Sequence, residues 1–317
     1  MSQRRGFALV ATLWLLVALT SAVLEVSLTA RTRRLAAANT LEAVSSRAAA
    51  RAGLDHARAR MATILARSGT LSAALPPEAR LDPWRDPAEL LPDSLLLGEA
   101  RYAVRLRDAG AALHLNRASE DELRRLFLAL RVDAGEADRL AQAILDWRDA
   151  DDLRRARGAE RDDYLGESRA ELPRNGPFAS LDELLAVRGM TAERFAAVRQ
   201  YLTLLGTGQV NLNAAARPVL LALPGLTEEA VAVLLRRRQG RRPVRSVQEL
   251  TLELSPPARR AIEAELPRLL SRATFETREV EVESEGWVAG SPVRVRAEGL
   301  LVRTNDVVFL VQTRVEW

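Results

Sequence analysis

The chain has 317 residues, 48% of them hydrophobic and 28% charged, which is the composition of globular material and not of a disordered chain. At that length about two domains fit beside any anchor. The absence of cysteine excludes disulfides, thiolate nucleophiles and cysteine metal sites, and two histidines, His56 and His114, nearly exclude a histidine triad or a histidine-rich metal centre. The net charge is only +4 and every cation is arginine, so the high isoelectric point reflects arginine usage in a GC-rich coding sequence and says little about nucleic acid.

The chain opens on a short basic segment. Arg4 and Arg5 lead into Gly6, and from Phe7 to Leu24 the run FALVATLWLLVALTSAVL carries no charge. Its 18 residues make ~27 Å of helix, against a hydrocarbon core of ~30 Å, so one helix can just span a bilayer. Glu25 ends the uncharged stretch, and Arg31, Arg33 and Arg34 follow. An ordinary secretory signal would be cut after Ala22, with Thr20-Ser21-Ala22 as its small-residue end. The alternative cut lies between Gly6 and Phe7 and leaves the apolar helix on the mature chain. The very short basic leader, the glycine directly before an aromatic residue and the unbroken helical character beyond residue 25 favour this second cut.

One helix is predicted from Phe7 to about Arg67. No proline occurs before Pro76, and Leu35, Leu41, Val44, Leu54, Met61 and Leu65 are spaced as one apolar stripe. His56 falls on the polar part and is expected to be solvated; Gly53 is expected to weaken the helix by ~1 kcal/mol relative to alanine. Residues 68–99 read as a loop broken by Gly69, Pro76, Pro77, Pro83, Pro87 and Pro92, with Trp84 pinning it to the domain. Arg101 to Arg107 alternates, Asp108-Ala109-Gly110 is a turn, and Ala111 to Leu115 returns, which is a hairpin pattern that makes His114 a strand residue.

The period then becomes helical. Ser119-Glu120-Asp121-Glu122 is a capping box that opens a helix to about Arg131, and a second helix runs from about Glu136 to Trp147. Ser180-Leu181-Asp182-Glu183 is another box, followed by a helix from about Ala192 to Leu204; Ser246-Val247-Gln248-Glu249 is a third, and Ser255-Pro256 is a cap with proline at the first helical position. Strands resume after Arg272. Thr277 to Glu283 alternates, Val293 to Arg303 meets a bend or bulge at Gly299, Asn305-Asp306 turns, and Val307 to Val315 is a last strand. Strands therefore flank a helical block on both sides, which fits one sheet interrupted by a helical insertion and lying against the first helix.

Two related copies are visible inside the block. Leu115-Asn116 with Leu123 matches Leu212-Asn213 with Leu220 at an offset of 97, and the Ser180 box matches the Ser246 box at an offset of 66. The difference of 31 places an insertion in the first copy, between Trp147 and Pro177. That insertion holds Asp146, Asp149, Asp151, Asp152, Glu160, Asp162, Asp163, Glu167 and Glu171. Carboxylates on one loop suit a hard cation, above all calcium with its six to eight oxygen ligands. A solvated loop paired with Arg148, Arg154, Arg155, Arg157 and Arg161 is the alternative. Leu220 to Thr227 followed by Arg236-Arg237-Arg238 resembles a helix-hairpin-helix, a DNA-binding element. Its second hairpin glycine is replaced by Thr227, however, and Thr191 stands in the same place in Arg188-Gly189-Met190-Thr191.

The stretch RRGFALVATLWLLVAL resembles a type IV prepilin leader cut between Gly6 and Phe7, and a long helix before a split sheet resembles the pilin fold. The motifs HLNRAS, ILDWRDADD, GAERDDYL, FASLDELLAVRGM and VNLNAAARPVLLALPG resemble the minor pseudopilin K family of type II secretion, over nearly the whole chain. One departure from other pilins is Ala11, where most carry glutamate as the fifth mature residue; in the resembling family this marks the tip subunit.

The resemblance implies an α+β pilin-like fold with a long N-terminal helix on an antiparallel sheet and a large inserted all-α domain of two helix-hairpin-helix-like repeats. The expected divisions are a leader at 1–6, a transmembrane part at 7–27, a first pilin-like part at 28–115, the insertion at 116–271 and a second pilin-like part at 272–317. It implies a non-enzymatic subunit at the tip of the periplasmic pseudopilus, with minor pseudopilins I and J as partners, the major pseudopilin below, and prepilin peptidase as processing enzyme. The anchor would cross the inner membrane once with its amino terminus in the cytoplasm, Phe7 would be N-methylated, and folded proteins would be exported across the outer membrane. Calcium is implied as cofactor, with Asp149, Asp151, Asp152, Glu160 and Asp162 as ligands. No nucleic acid is expected; the rival class is a membrane-anchored or exported helix-hairpin-helix protein that binds it.

Overall fold

A computed structural model describes residues 3–72, 82–91, 94–166, 172–304 and 307–316. Helix α1 (Gln3–Ser72) takes the whole N-terminal stretch, with no proline and a high content of alanine, leucine and arginine to favour it. Strands β1 (Leu95–Leu97) and β2 (Ala100–Asp108) follow. After the short β3 (Leu113–His114) come helices α2 (Glu120–Ala129), α3 (Ala134–Arg148), α4 (Arg161–Gly166) and α5 (Ala192–Val198), then β4 (Leu202–Thr203). A second run begins with β5 (Val210–Asn211) and continues through α6 (Arg217–Ala222), α7 (Glu228–Gln239), α8 (Val247–Thr251), α9 (Pro256–Ala264) and α10 (Leu266–Arg272) to β6 (Ala273–Thr274). Strands β7 (Glu279–Val288), β8 (Arg294–Thr304) and β9 (Val307–Glu316) close the chain.

The long strands form one antiparallel sheet in the order β1-β2-β7-β8-β9. Strand β2 lies beside β7 from Ala100 opposite Val288 to Asp108 opposite Val280. The stretch from Ala109 to Arg278 thus leaves and rejoins the sheet between two neighbouring strands. The junction is tied at Asp108: its Oδ2 accepts from Asn211 Nδ2 at 2.7 Å and from Thr277 Oγ1 at 2.7 Å, and its Oδ1 accepts from the Gly110 amide at 2.8 Å.

Alternation sets the faces of the sheet. Val280, Val282, Ser284 and Gly286 of β7 point at α1, and Leu106, Val295, Ala297 and Leu301 extend that layer against Ala50, Leu54, Ala57, Met61 and Leu65. The opposite face carries cross-strand ion pairs, Arg105 and Arg296 on Glu283 at 3.3 and 3.1 Å and Arg294 on Glu285 at 3.7 Å. Only the second half of α1 packs in this way; every residue from Thr12 to Leu41 is exposed. Trp84 is fully buried under the end of this layer, donating from Nε1 to the Met61 carbonyl at 3.3 Å, as the loop reading anticipates.

Several local expectations are corrected. Gly53 is no weak point: a Cβ there would stand 2.0 Å from Ser284 Oγ, and one on Gly286 would stand 2.2 Å from the Ser46 carbonyl oxygen, so the two glycines let α1 sink onto β7. His56 is half-buried against the sheet, its Nδ1 3.3 Å from Tyr102 Oη. The predicted hairpin does not form, because β3 turns away from β2 and pairs in parallel with β4. The helix predicted to reach Leu204 stops at Val198, since Leu202 and Thr203 are drawn into that pairing. The bulge expected at Gly299 is displaced to where Leu300 and Leu301 meet β9. The helix predicted to end near Arg67 runs on to Ser72, so Gly69 is helical and not part of a loop; Pro76, Pro77, Pro92 and the expected Asn305-Asp306 turn lie outside the described residues.

Between β2 and β7 the helices have their own apolar cluster, with Leu123, Phe127, Leu140, Ile144, Trp147, Tyr164, Leu220, Leu250 and Ile262 buried in it. One bonding pattern occurs twice there. Strand β3 pairs in parallel with β4, and β5 with β6, and the ladders are extended by Leu115 N to Thr203 O at 2.8 Å and Leu212 N to Thr274 O at 2.9 Å. Asn116 Oδ1 accepts from the Phe178 amide at 2.8 Å and its Nδ2 donates to the Phe178 carbonyl at 2.9 Å. Asn213 makes the same two bonds to Val244, at 2.9 and 2.7 Å, and a third to the Phe275 carbonyl at 2.8 Å. The clamped residues are 62 positions apart in the first case and 31 in the second. The two parallel ladders are strand pairings that an all-α expectation leaves out.

Candidate functional site

The acidic segment starts on the last turn of α3. Ala137, Leu140, Ala141 and Ile144 bury one face of this helix, and Asp146 falls on that apolar face, fully buried. Trp147 beside it is held edge-on to Tyr164 at 5.5 Å and stacked on Phe178 at 6.2 Å. The Arg148 guanidinium donates to the Leu115 and Ala118 carbonyls, so the helix end is fixed from both sides. The chain then doubles back and passes Gly158 close over Asp146; a Cβ on Gly158 would lie 1.8 Å from Asp146 Oδ2.

Asp146 is paired with Arg155. The Arg155 amide lies 3.3 Å from Oδ2, and Arg155 Nη1 lies 2.5 Å from Oδ1. The same Nη1 lies 2.5 Å from Asp149 Oδ2, so one guanidinium nitrogen bridges two carboxylates. Glu160 is 5% exposed, and neither of its carboxylate oxygens has a hydrogen-bond partner among the described residues; Asp149 Oδ1 is buried and unpartnered in the same way. Burial first, and then the charges of Asp146, Asp149, Asp152 and Asp151, push the Glu160 carboxyl up to about 7.

The five expected ligands are therefore not equivalent. Asp146 and Asp149 share Arg155, and the charges of both reach the buried Glu160. Asp151 and Asp152 are exposed neighbours whose charges reach Glu160; Asp151 Oδ1 accepts from the Leu153 amide at 2.9 Å and Asp152 Oδ1 from Asn175 Nδ2 at 2.8 Å. Asp162 is exposed on α4. Its neighbour Asp163 instead accepts from the Glu160 amide at 3.0 Å and pairs with Arg154 and Arg188 at 3.1 and 3.3 Å. Glu167 and Glu171 lie outside the described residues. Asp146 was visible in the sequence as an acid on the apolar stripe of a helix, three residues after Ala143, and that is the signal that sets it apart from the loop acids.

The donor set is all carboxylate oxygen, with unpartnered oxygens on Glu160 and Asp149, and this fits a hard cation. Among the described residues no group of three acidic or histidine side chains is placed to hold a metal ion, and Arg155 stands between Asp146 and Asp149. His114, a strand residue by sequence, is buried on β3.

The two hairpin turns of the rival reading are closed by their own threonines. Thr191 Oγ1 accepts from the Arg194 amide at 3.2 Å and Thr227 Oγ1 from the Ala230 amide at 3.3 Å, so hydroxyls cap the helix ends that would face a phosphate. Gly6 and Phe7, the residues of the expected cut, lie in the helical backbone of α1, which is the one helix among the described residues long and apolar enough to cross a membrane.

Compared with known proteins, residues 104–207 match the family model of type II secretion system (T2SS) protein K. No curated protein matches the chain. Among solved structures, a chain in the crystal structure of the GspK-GspI-GspJ complex from the enterotoxigenic Escherichia coli type 2 secretion system is similar, with a TM-score of 0.57 at 20% identity. The match covers 83% of this chain and 97% of that one, and at this identity it shows likeness of fold.

Proposed function

We propose that this chain, which belongs to the type II secretion system protein K family, works as a minor pseudopilin at the tip of the periplasmic pseudopilus. The observation that carries this reading is the position of the family's domain. It begins in β2 and runs into the helices that leave the sheet there, behind a helix that is uncharged from Phe7 to Leu24 and exposed from Thr12 to Leu41. Helix α1 then anchors the chain once in the inner membrane, amino terminus in the cytoplasm and the remainder in the periplasm. Arg4 and Arg5 agree with that orientation. Prepilin peptidase would cut between Gly6 and Phe7, and Phe7 would be N-methylated.

The likeness to a chain of the GspK-GspI-GspJ complex supports minor pseudopilins I and J as partners, joined through the long helix, with the major pseudopilin below. The tip position is supported by Ala11, which leaves no carboxylate for docking beneath another subunit. It is supported also by the bulk of the helices inserted between β2 and β7. The doubled ladders and asparagine clamps favour reading that stretch as an inserted domain of two repeats. Its role is structural support for export of folded proteins and involves no catalysis. Calcium, bound by Asp146, Asp149 and Glu160 with Asp151 and Asp152 nearby, would supply charge that holds the acidic segment in one conformation.

The test is the intact mass and amino-terminal sequence of the protein extracted from membranes. A start at Phe7, carrying a methyl group, is the expected result. A start at Val23 would mean a cleaved secretory signal and would remove the pseudopilin reading.

A further inference from the structure

Asp146 is fully buried, and a carboxylate removed from water must be protonated or paired. Its partner is Arg155, and the geometry of that pairing is unusual in one respect. A single nitrogen, Nη1, stands 2.5 Å from an oxygen of Asp146 and 2.5 Å from an oxygen of Asp149. One positive centre between two carboxylates, with the unpartnered Glu160 beside them, is the arrangement a bridging cation would take. We propose that Arg155 is a built-in counterion that holds the cation's place, so that its guanidinium must swing out before a divalent ion can join Asp146, Asp149 and Glu160. This rests on the calcium reading given above.

The surroundings make the exchange physically simple. The Arg155 side chain is 34% exposed, so it can rotate into solvent, whereas Asp146 at 0% cannot follow it. Its amide remains on Asp146 when the side chain leaves, which keeps the loop closed over the acid. Three other arginines of the segment are engaged elsewhere: Arg148 on the Leu115 and Ala118 carbonyls, Arg154 on Asp163, and Arg157 on Asp138. None of these can replace Arg155. One monovalent group also leaves the Glu160 oxygens without a partner, and a divalent ion has the coordination number to take them in. Competition of this kind sets a threshold: the acids are occupied at every calcium concentration, first by the chain itself and then by the ion.

The experiment compares the full chain in detergent micelles with its Arg155→Gln variant, titrating calcium by calorimetry and following thermal unfolding with and without the ion. The variant is expected to bind calcium at least tenfold more tightly than the parent. Without calcium it should melt lower than the parent, because two carboxylates have lost their partner, and calcium should restore it. Arg155→Lys, which keeps the charge but not the fork, should bind with intermediate affinity and covers the case in which the glutamine variant folds only with calcium present. Binding by the variant alone, with none by the parent, would support the proposal in its strongest form. If the parent binds calcium and the variant binds no more tightly, the counterion role is overturned while the calcium reading stands. If neither binds, the calcium reading falls and takes the proposal with it. A variant as stable as the parent without calcium would also overturn it.

Discussion

His114 stays neutral in the folded chain well into the acid range. It is 6% exposed on β3, and its Nδ1 has no hydrogen-bond partner among the described residues. Burial first, then the charges of Arg117, Arg272 and Arg148, hold its pKa down at about 4, from an ordinary 6.5. Between those values the unfolded chain binds a proton that the folded chain refuses. Stability therefore falls as pH drops through 6.5 and goes on falling until about 4, by up to about 1.4 kcal/mol per pH unit. His114→Gln should flatten that part of a stability-against-pH curve, measured by urea unfolding, and leave the curve above pH 7 parallel to the parent's; an unchanged acid slope would show that other groups govern it. Little of this was legible beforehand. The sequence places His114 on a strand, but the arginines around it come from positions 117, 148 and 272, and no local rule brings those together. Asn116 and Asn213 teach the same lesson. Their repetition was visible, yet the carbonyls and amides they clamp lie on distant loops.

At the scale of elements, helix and strand extents were the most readable feature, because each follows from a period written in adjacent residues. Contacts between elements were not. Gly53 looked like a flaw in a helix until β7 was seen to pass beneath it, and β3 looked like half of a hairpin until β4 was available as a partner. The α1–β7 seam gives a measurable consequence. A methyl group on Gly286 would meet α1 backbone, the Ser46 oxygen at 2.2 Å and the Ala50 nitrogen at 2.5 Å, and backbone cannot move aside alone. A methyl group on Gly53 meets first the Ser284 hydroxyl, which can rotate. Gly286→Ala should therefore cost about 3 kcal/mol or more and Gly53→Ala about 1 kcal/mol, at the two ends of the overpacking range. Equal midpoints in a denaturant titration would contradict this account of the seam.

For the whole molecule, the division of labour along α1 decides what can be removed. From Thr12 to Leu41 every residue of the helix is exposed, over ~45 Å, while from Ser46 onward it forms one wall of the core. A chain beginning at residue 42 should be soluble without detergent and should melt within about 3 °C of the full chain, since it loses none of the buried apolar area that sets stability. A large loss measured by circular dichroism would mean that the bare half supports the fold after all. The acidic segment was legible as a chemical class and only partly as a site. Its carboxylates stand together in the sequence, but which of them face inward depends on where α3 ends and how the following loop returns.

The junction at Asp108 carries a consequence of another kind. Strands β2 and β7 are neighbours, yet the stretch from Ala109 to Arg278 must be threaded out and back before they can pair. If that stretch were still random coil, closing it would cost ~3 kcal/mol more than closing a tight hairpin loop, at ~0.6 kcal/mol for each doubling of length. The sheet is thus kinetically subordinate to the helices: once they have collapsed, Gly110, Asn211 and Thr277 are already near one another, and the long detour shrinks to the span of one carboxylate. Asp108 marks the point where a slow, non-local pairing is converted into a local one, and folding of the sheet should wait upon it.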